Sequence, residues 1–151
     1  MDNKQYYIKY IWGPGGQQGY PSDIDNVIAF AERSEKQCER FRDCAGFLLY
    51  ETGHGNKDFK GAKAIYAWGI VNPNQENLSI SRENIEEAGG KRWTSGVRVI
   101  LKKRVDPKEG IPLNEIKKLT GMGNVQRRGG ILSITEDQFK VLQGMLEIKN
   151  I

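Results

Sequence analysis

A chain of 151 residues, 38% hydrophobic and 28% charged, has the mix of one globular domain with a real core and too much apolar content for a disordered polyelectrolyte. The formal charge of +4 is mild, but its cations fall in short clusters in the C-terminal half: Lys91-Arg92, Lys102-Lys103-Arg104, Lys117-Lys118 and Arg127-Arg128. That arrangement favours a polyanionic partner more than the total does.

No apolar run approaches the length that crosses a bilayer, and MDNKQYY lacks the basic and apolar regions of a signal peptide. A cytoplasmic protein is expected, with no membrane partner. Cys38 and Cys44 lie close together in an expected helix-to-strand region and read as reduced, partly buried thiols. With the lone His54 they fall short of the four ligands of a structural zinc site, so neither metal nor cofactor is expected.

Along the chain, QYYIKYIW (5–12) alternates aromatic and β-branched residues with period two and predicts a strand. GPGGQQGYP (13–21) ends it, because Gly and Pro at that density cannot continue a ladder. Ser22 suits a cap, and Ile24, Val27, Ile28 and Ala31 follow at helical spacing. A polar stretch leads into GFLLYET (46–52), a buried strand, and GHGNKDFKGAK (53–63) reads as the turn before a returning strand, AIYAWGIV (64–71). Residues 72–90 carry no strong period and predict a long loop with room for one short helix. GVRVILKKRV (96–105) is another strand.

IPLNEIKKLTG places Pro112 in a first turn, Leu113, Ile116 and Leu119 on one face, and Gly121 after the last turn, which predicts a short helix. GGILSI (129–134) is a strand, and Thr135 with Gln138 forms a capping box that opens an amphipathic helix over 135–146. About five strands and three helices without regular βαβ alternation predict one α+β domain spanning 1–151, or a small barrel with flanking helices.

Catalytic chemistry finds little support. A nucleophile needs a base, most often His, and His54 lies in a glycine-rich turn without the spacing of a phosphate-binding loop. Glu51 and Asp106 lack the convergent spacing of a metal-dependent nuclease, so an enzyme is not expected. The aromatic residues offer more. Trp68, within AIYAWGIV, reads as core. Trp12 ends a strand beside the glycine turn that Tyr20 closes, and this pair can belong to a core or line a cleft. Trp93 stands in GGKRWTSG, flanked by Lys91 and Arg92. An aromatic face there can stack on a planar base while the cations hold phosphates.

The segment GNVQRRGGILSITEDQFKVLQGML resembles the ending of EVE domains, members of the PUA-like superfamily related to YTH domains. WTSGVRVILKKRVDPKEGIPLNEIKK resembles the central pattern of that family, and GFLLYET followed by AIYAWGIV resembles its strand pair. The match touches most of residues 46–146; the N-terminal third, YYIKYIW and GPGGQQGYPSDID, departs from the pattern. The resemblance implies a PUA-like curved or closed sheet (a pseudo-barrel) with flanking helices and a pocket at one mouth for an extruded, methylated or hydroxymethylated base.

Because EVE domains are thought to read modified DNA bases and YTH domains N6-methyladenine in RNA, the implied partner is nucleic acid, with DNA placed before RNA. EVE domains are sometimes fused to restriction modules, so an effector or fused nuclease partner belongs to the same expectation. Trp93 matches the position of a YTH cage tryptophan. Trp12 and Tyr20 are candidates for the opposing wall, Lys9 and Tyr10 for polar contacts, and Lys91, Arg92, Arg127 and Arg128 for phosphate contacts. Two alternatives stay open: a PUA- or ASCH-like RNA-processing enzyme or accessory subunit, and a pocket for a small molecule or peptide.

Overall fold

The computed structural model describes residues 4–11, 27–31, 35–52, 62–73, 93–121 and 131–149. Within them the chain runs β1 (Tyr6–Ile11), β2 (Val27–Ala31), α1 (Glu35–Arg42), β3 (Gly46–Glu51), β4 (Ala64–Val71) and β5 (Trp93–Arg104). A 3-10 turn (Pro107–Glu109), β6 (Ile111–Pro112), α2 (Leu113–Thr120), β7 (Ile131–Ile134) and α3 (Glu136–Glu147) follow. The strands form one sheet in the order β2-β5-β4-β3-β1-β7, with β6 beside β4. β1 and β3 run parallel, from Tyr6 opposite Gly46 to Ile11 opposite Glu51, and the other pairings are antiparallel. The fold is therefore α+β, and its sheet is an open path with β2 and β7 at its ends among the described residues.

One expectation is corrected. Ile24, Val27, Ile28 and Ala31 predicted a helix, yet Val27–Ala31 is a strand on β5. Ile28 and Phe30 are both fully buried, so the working period there is two, and β-branched and aromatic residues suit it. The polar stretch after it contains α1, whose Cys38 and Phe41, three residues apart, bury one narrow stripe. The strands at 46–51 and 64–71 and the capped helices after 112 and 135 form where their local signals predict.

The sheet coils because its ladders slip. Register shifts fall between Phe30 and Ala31 on β2, between Leu49 and Tyr50 on β3, and between Trp68 and Gly69 on β4. Each leaves an extra residue on the facing strand (Thr94, Tyr66 and Lys102), which bends that strand and increases its twist.

Alternation along β1 places Tyr6, Ile8 and Tyr10 on one face and Tyr7, Lys9 and Ile11 on the other. α3 covers the first face. Its Phe139 ring lies 4.6 Å from Tyr6 and 6.0 Å, edge-on, from Trp68. Gly46 makes that seat possible, since a Cβ there would stand 2.8 Å from Phe139 Cζ. Leu142 and Leu146 continue the buried stripe.

The helix is fixed at both ends. Thr135 Oγ1 accepts from the Gln138 N–H at 3.1 Å, and Gln138 Oε1 accepts from the Thr135 N–H at 2.9 Å. Near its C-terminus, Glu147 Oε1 accepts from Trp68 Nε1 at 2.7 Å. Gln138 Nε2 also donates to the Leu119 carbonyl at 2.8 Å. That bond serves an end carbonyl of α2, which stops at Gly121 in the left-handed region (φ 71°). α1 and β2 cover the second face, where the Phe41 ring lies 5.0 Å from Phe47, 5.3 Å from Phe30 and 6.4 Å from Tyr7.

Candidate nucleic-acid interface

Among the described residues the buried polar or charged side chains are Lys9, Glu51 and Thr52, at 4%, 2% and 3% exposure. All three lie toward the carboxyl ends of the parallel strands β1 and β3, where the Thr52 N–H donates to the Ile11 carbonyl at 2.9 Å. Lys9 pairs with Leu49 and Ile11 with Glu51, so Lys9 and Glu51 are diagonal neighbours on the face under α1 and β2.

Lys9 Nζ sits 4.4 Å from the centre of the Phe30 ring, a cation–π contact that offsets part of the cost of its burial. Glu51 Oε2 accepts from the Ala62 N–H at 2.7 Å and so ties the return into β4 to the end of β3. Nearby on α1, burial pushes the Cys38 thiol up, against the opposing influence of Arg42 and then Lys9. The inner face therefore carries both cations within electrostatic reach of α1. Arg42 Nε is buried and has no hydrogen-bond partner among the described residues. Cys44 is pushed up to about 12 by burial. Both thiols are free and buried.

Trp93 is the first residue of β5 and stands opposite Ala31. The bulge at Thr94 adjoins it. Ala31 follows Phe30, whose ring covers Lys9. The backbone of Trp93 is thus linked to Glu51 by short steps: across the ladder to Ala31, along β2 to Phe30, through the ring to Lys9, and diagonally to Glu51.

Tyr10 does not share this wall. It faces the other side of β1, half-buried, with its ring 5.4 Å from Tyr50. Trp12, Tyr20, His54, Lys91, Arg92, Arg127 and Arg128 lie outside the described residues. Of the other clustered cations, Lys102, Arg104, Lys117 and Lys118 are exposed, and Arg104 lies over Tyr66 at 5.8 Å.

Sequence reasoning did not place Phe30 and Glu51 beside Lys9. A signal for Glu51 was present: in GFLLYE, Phe47, Leu49 and Glu51 alternate onto one face, which points a carboxylate inward. Phe30 was hidden by the expectation of a helix.

No protein-family model matches the sequence, and no curated protein does. Solved structures do. The YTH domain-containing protein mmi1, in a complex with RNA, superposes with a TM-score of 0.61 at 12% identity, covering 95% of this chain and 81% of that one. The Pho92 YTH domain in complex with m6A gives 0.58 at 8% identity, covering 99% and 87%. The CPSF4 YTH domain of Toxoplasma, with a 7-mer m6A-modified RNA, gives 0.57 at 16% identity, covering 97% and 93%. This chain has the fold of YTH domains.

Proposed function

We propose that this protein is a non-catalytic nucleic-acid-binding module that holds an extruded, methylated base against Trp93, above the inner face of β1. The observation that carries the reading is the buried Lys9–Glu51 diagonal beneath Phe30, linked through Ala31 to the bulged start of β5. Burying ionisable groups costs stability, and such groups concentrate where a site needs them. The YTH fold supports the reading, because neighbours with that fold were solved with RNA or m6A bound. Those partners favour RNA over the DNA that the EVE resemblance put first. EVE membership itself continues to rest on residues 46–146.

Extrusion of a base costs a few kcal/mol of unstacking, least from a single strand. Stacking on an aromatic face returns about 1–3 kcal/mol per base, and one buried methyl carbon adds about 0.8 kcal/mol. Methyl discrimination from area alone is therefore modest. Titration of the protein with single-stranded RNA and DNA of one sequence, plain or methylated at one base and followed by tryptophan fluorescence, tests this. Tighter binding of a methylated strand is expected, weakened about tenfold or more by Trp93→Ala and falling steeply with added salt. Equal affinity for methylated and plain strands, or full affinity in Trp93→Ala, would refute the reading.

A further inference from the structure

We propose that the outer side of α3 is a self-association surface, on which a second copy of this chain docks its own α3 in the antiparallel sense. Among the described residues, the large apolar side chains exposed by a third or more are Ile100, Val141 and Ile148, at 36%, 47% and 84%. Two of the three belong to α3 and its C-cap. At helical spacing Val141, Gly144 and Ile148 fall on one line, opposite the buried stripe of Phe139, Leu142 and Leu146. α3 is therefore apolar on both sides, where a surface helix is ordinarily polar on the side that faces water.

Gly144 is a second observation on the same line. A glycine inside a helix costs stability relative to alanine. Nothing within this chain requires it, because a Cβ there would meet no atom within 4 Å. Gly46, by contrast, is required by the Phe139 ring. A bare position in the middle of an exposed apolar line lets a second helix approach closely, since the distance between packed helices is set by the side chains at the contact.

The charges beside that line select the occupant. Lys140 and Glu147 are seven residues apart, about two turns, so they share one flank of the helix. Facing a second α3 to the first, end for end, brings like flanks together, whereas a parallel pair sets them on opposite sides. Centred near Gly144, the antiparallel pair places Lys140 of each copy opposite Glu147 of the other, and Val141 between Gly144 and Ile148 of the second copy. Within one chain Lys140 meets Glu136 at 3.3 Å on the exposed surface, and Glu147 holds Trp68 through Oε1. Charge pairs at such a rim set orientation more than affinity. The helix is about 18 Å long, so the contact falls short of the roughly 1,200 Å² of a standard interface and the dimer is weak. α3 covers the face opposite α1 and β2, so the association does not depend on the base-binding reading.

Sedimentation equilibrium of the whole chain, loaded from about 10 μM to about 1 mM, covers the range in which so small an interface associates. The weight-average mass is expected to rise with concentration from 17.1 kDa toward twice that value. Val141→Asp and Ile148→Asp, both at exposed positions and checked for folding by circular dichroism, should each hold it at the monomer value. Lys140→Glu and Glu147→Lys each set like charges against one another twice, and should each weaken association about threefold or more. An equimolar mixture of those two variants restores opposite charges at both pairs and should recover the association. A mass of 17.1 kDa at every concentration overturns the proposal, as does association that survives either aspartate. A mixture that associates no better than its components overturns the antiparallel pairing, and with it the choice of a second copy as the occupant.

Discussion

The two faces of the sheet come from the same alternating strands and hold different chemistry. Under α3, Tyr6, Trp68 and Phe139 pack ring against ring over a bare glycine, and the nearby Trp68–Glu147 bond lies at the exposed rim. Under α1 and β2, the alternation that buries Phe47 and Tyr7 also buries Lys9 and Glu51. Apolar packing stabilises wherever it occurs, whereas a buried charge is weak support for a fold and strong discrimination against a wrong partner. The first face is an apolar packing surface, and the second carries the buried ionisable groups on which the proposed site rests.

That division can be broken, most forcefully through Phe139. Phe139→Ala should cost about 3–5 kcal/mol, read as a lower urea midpoint with an unchanged slope, while the folded fraction keeps its affinity for nucleic acid. An equal fall in affinity would show that the faces are not separable.

The inner face should reveal itself at alkaline pH. Burial lifts Cys44 from 9.0 to about 12 and also raises Cys38. Below pH 9 both the folded and unfolded thiols are protonated, and the contribution of Cys44 is complete. Between about 9 and 12 the unfolded chain loses that proton first, so stability falls as pH rises, by about 1.4 kcal/mol per pH unit for this one group. Cys44→Ala should flatten that slope in denaturant melts collected from pH 8 to 10.5, and an unchanged slope would assign it elsewhere, with Tyr6 and Tyr7, both raised by burial, as candidates.

At the rim of the outer face, Thr135→Ala removes the hydroxyl of the capping box and should cost about 1 kcal/mol, visible as a lower Tm without effect on binding. Smallest is Trp68→Phe, which keeps a ring against Phe139 but loses the bond to Glu147. It should cost about 0.5–1 kcal/mol in the same measurement.

Much of the scaffold was legible because its signals are local. Thr135 and Gln138 announce α3 within four residues, and Gly121 closes α2 by the conformation it alone adopts cheaply. β2 was misread because Ile24, Val27, Ile28 and Ala31 fit a helical period, while the evidence for a strand is its pairing with β5, more than sixty residues away. α1 was legible only as the helix side of the helix-to-strand region around Cys38 and Cys44, because its buried stripe is two residues wide. The pairing of β1 with β3 has no local signature, since a parallel partner is chosen by the rest of the fold.

For the site, period two already separates Lys9 from Tyr10, so placing both in one pocket conflicted with the strand expectation itself. That Lys9 is buried and covered by Phe30 follows from the curl, which depends on bulges between distant segments.

The position of β1 also bears on how the chain is made. β1 lies between β3 and β7, so one of its edges waits for residues 46–51 and the other for residues 131–134. A ribosome therefore delivers a tyrosine-rich strand early and its last partner more than a hundred residues later. Until residues 131–134 are made, YYIKYI keeps one edge open, the kind of exposed aromatic edge that chaperones hold. The charge of Lys9, set in the middle of that segment, interrupts the apolar run that would otherwise nucleate aggregation.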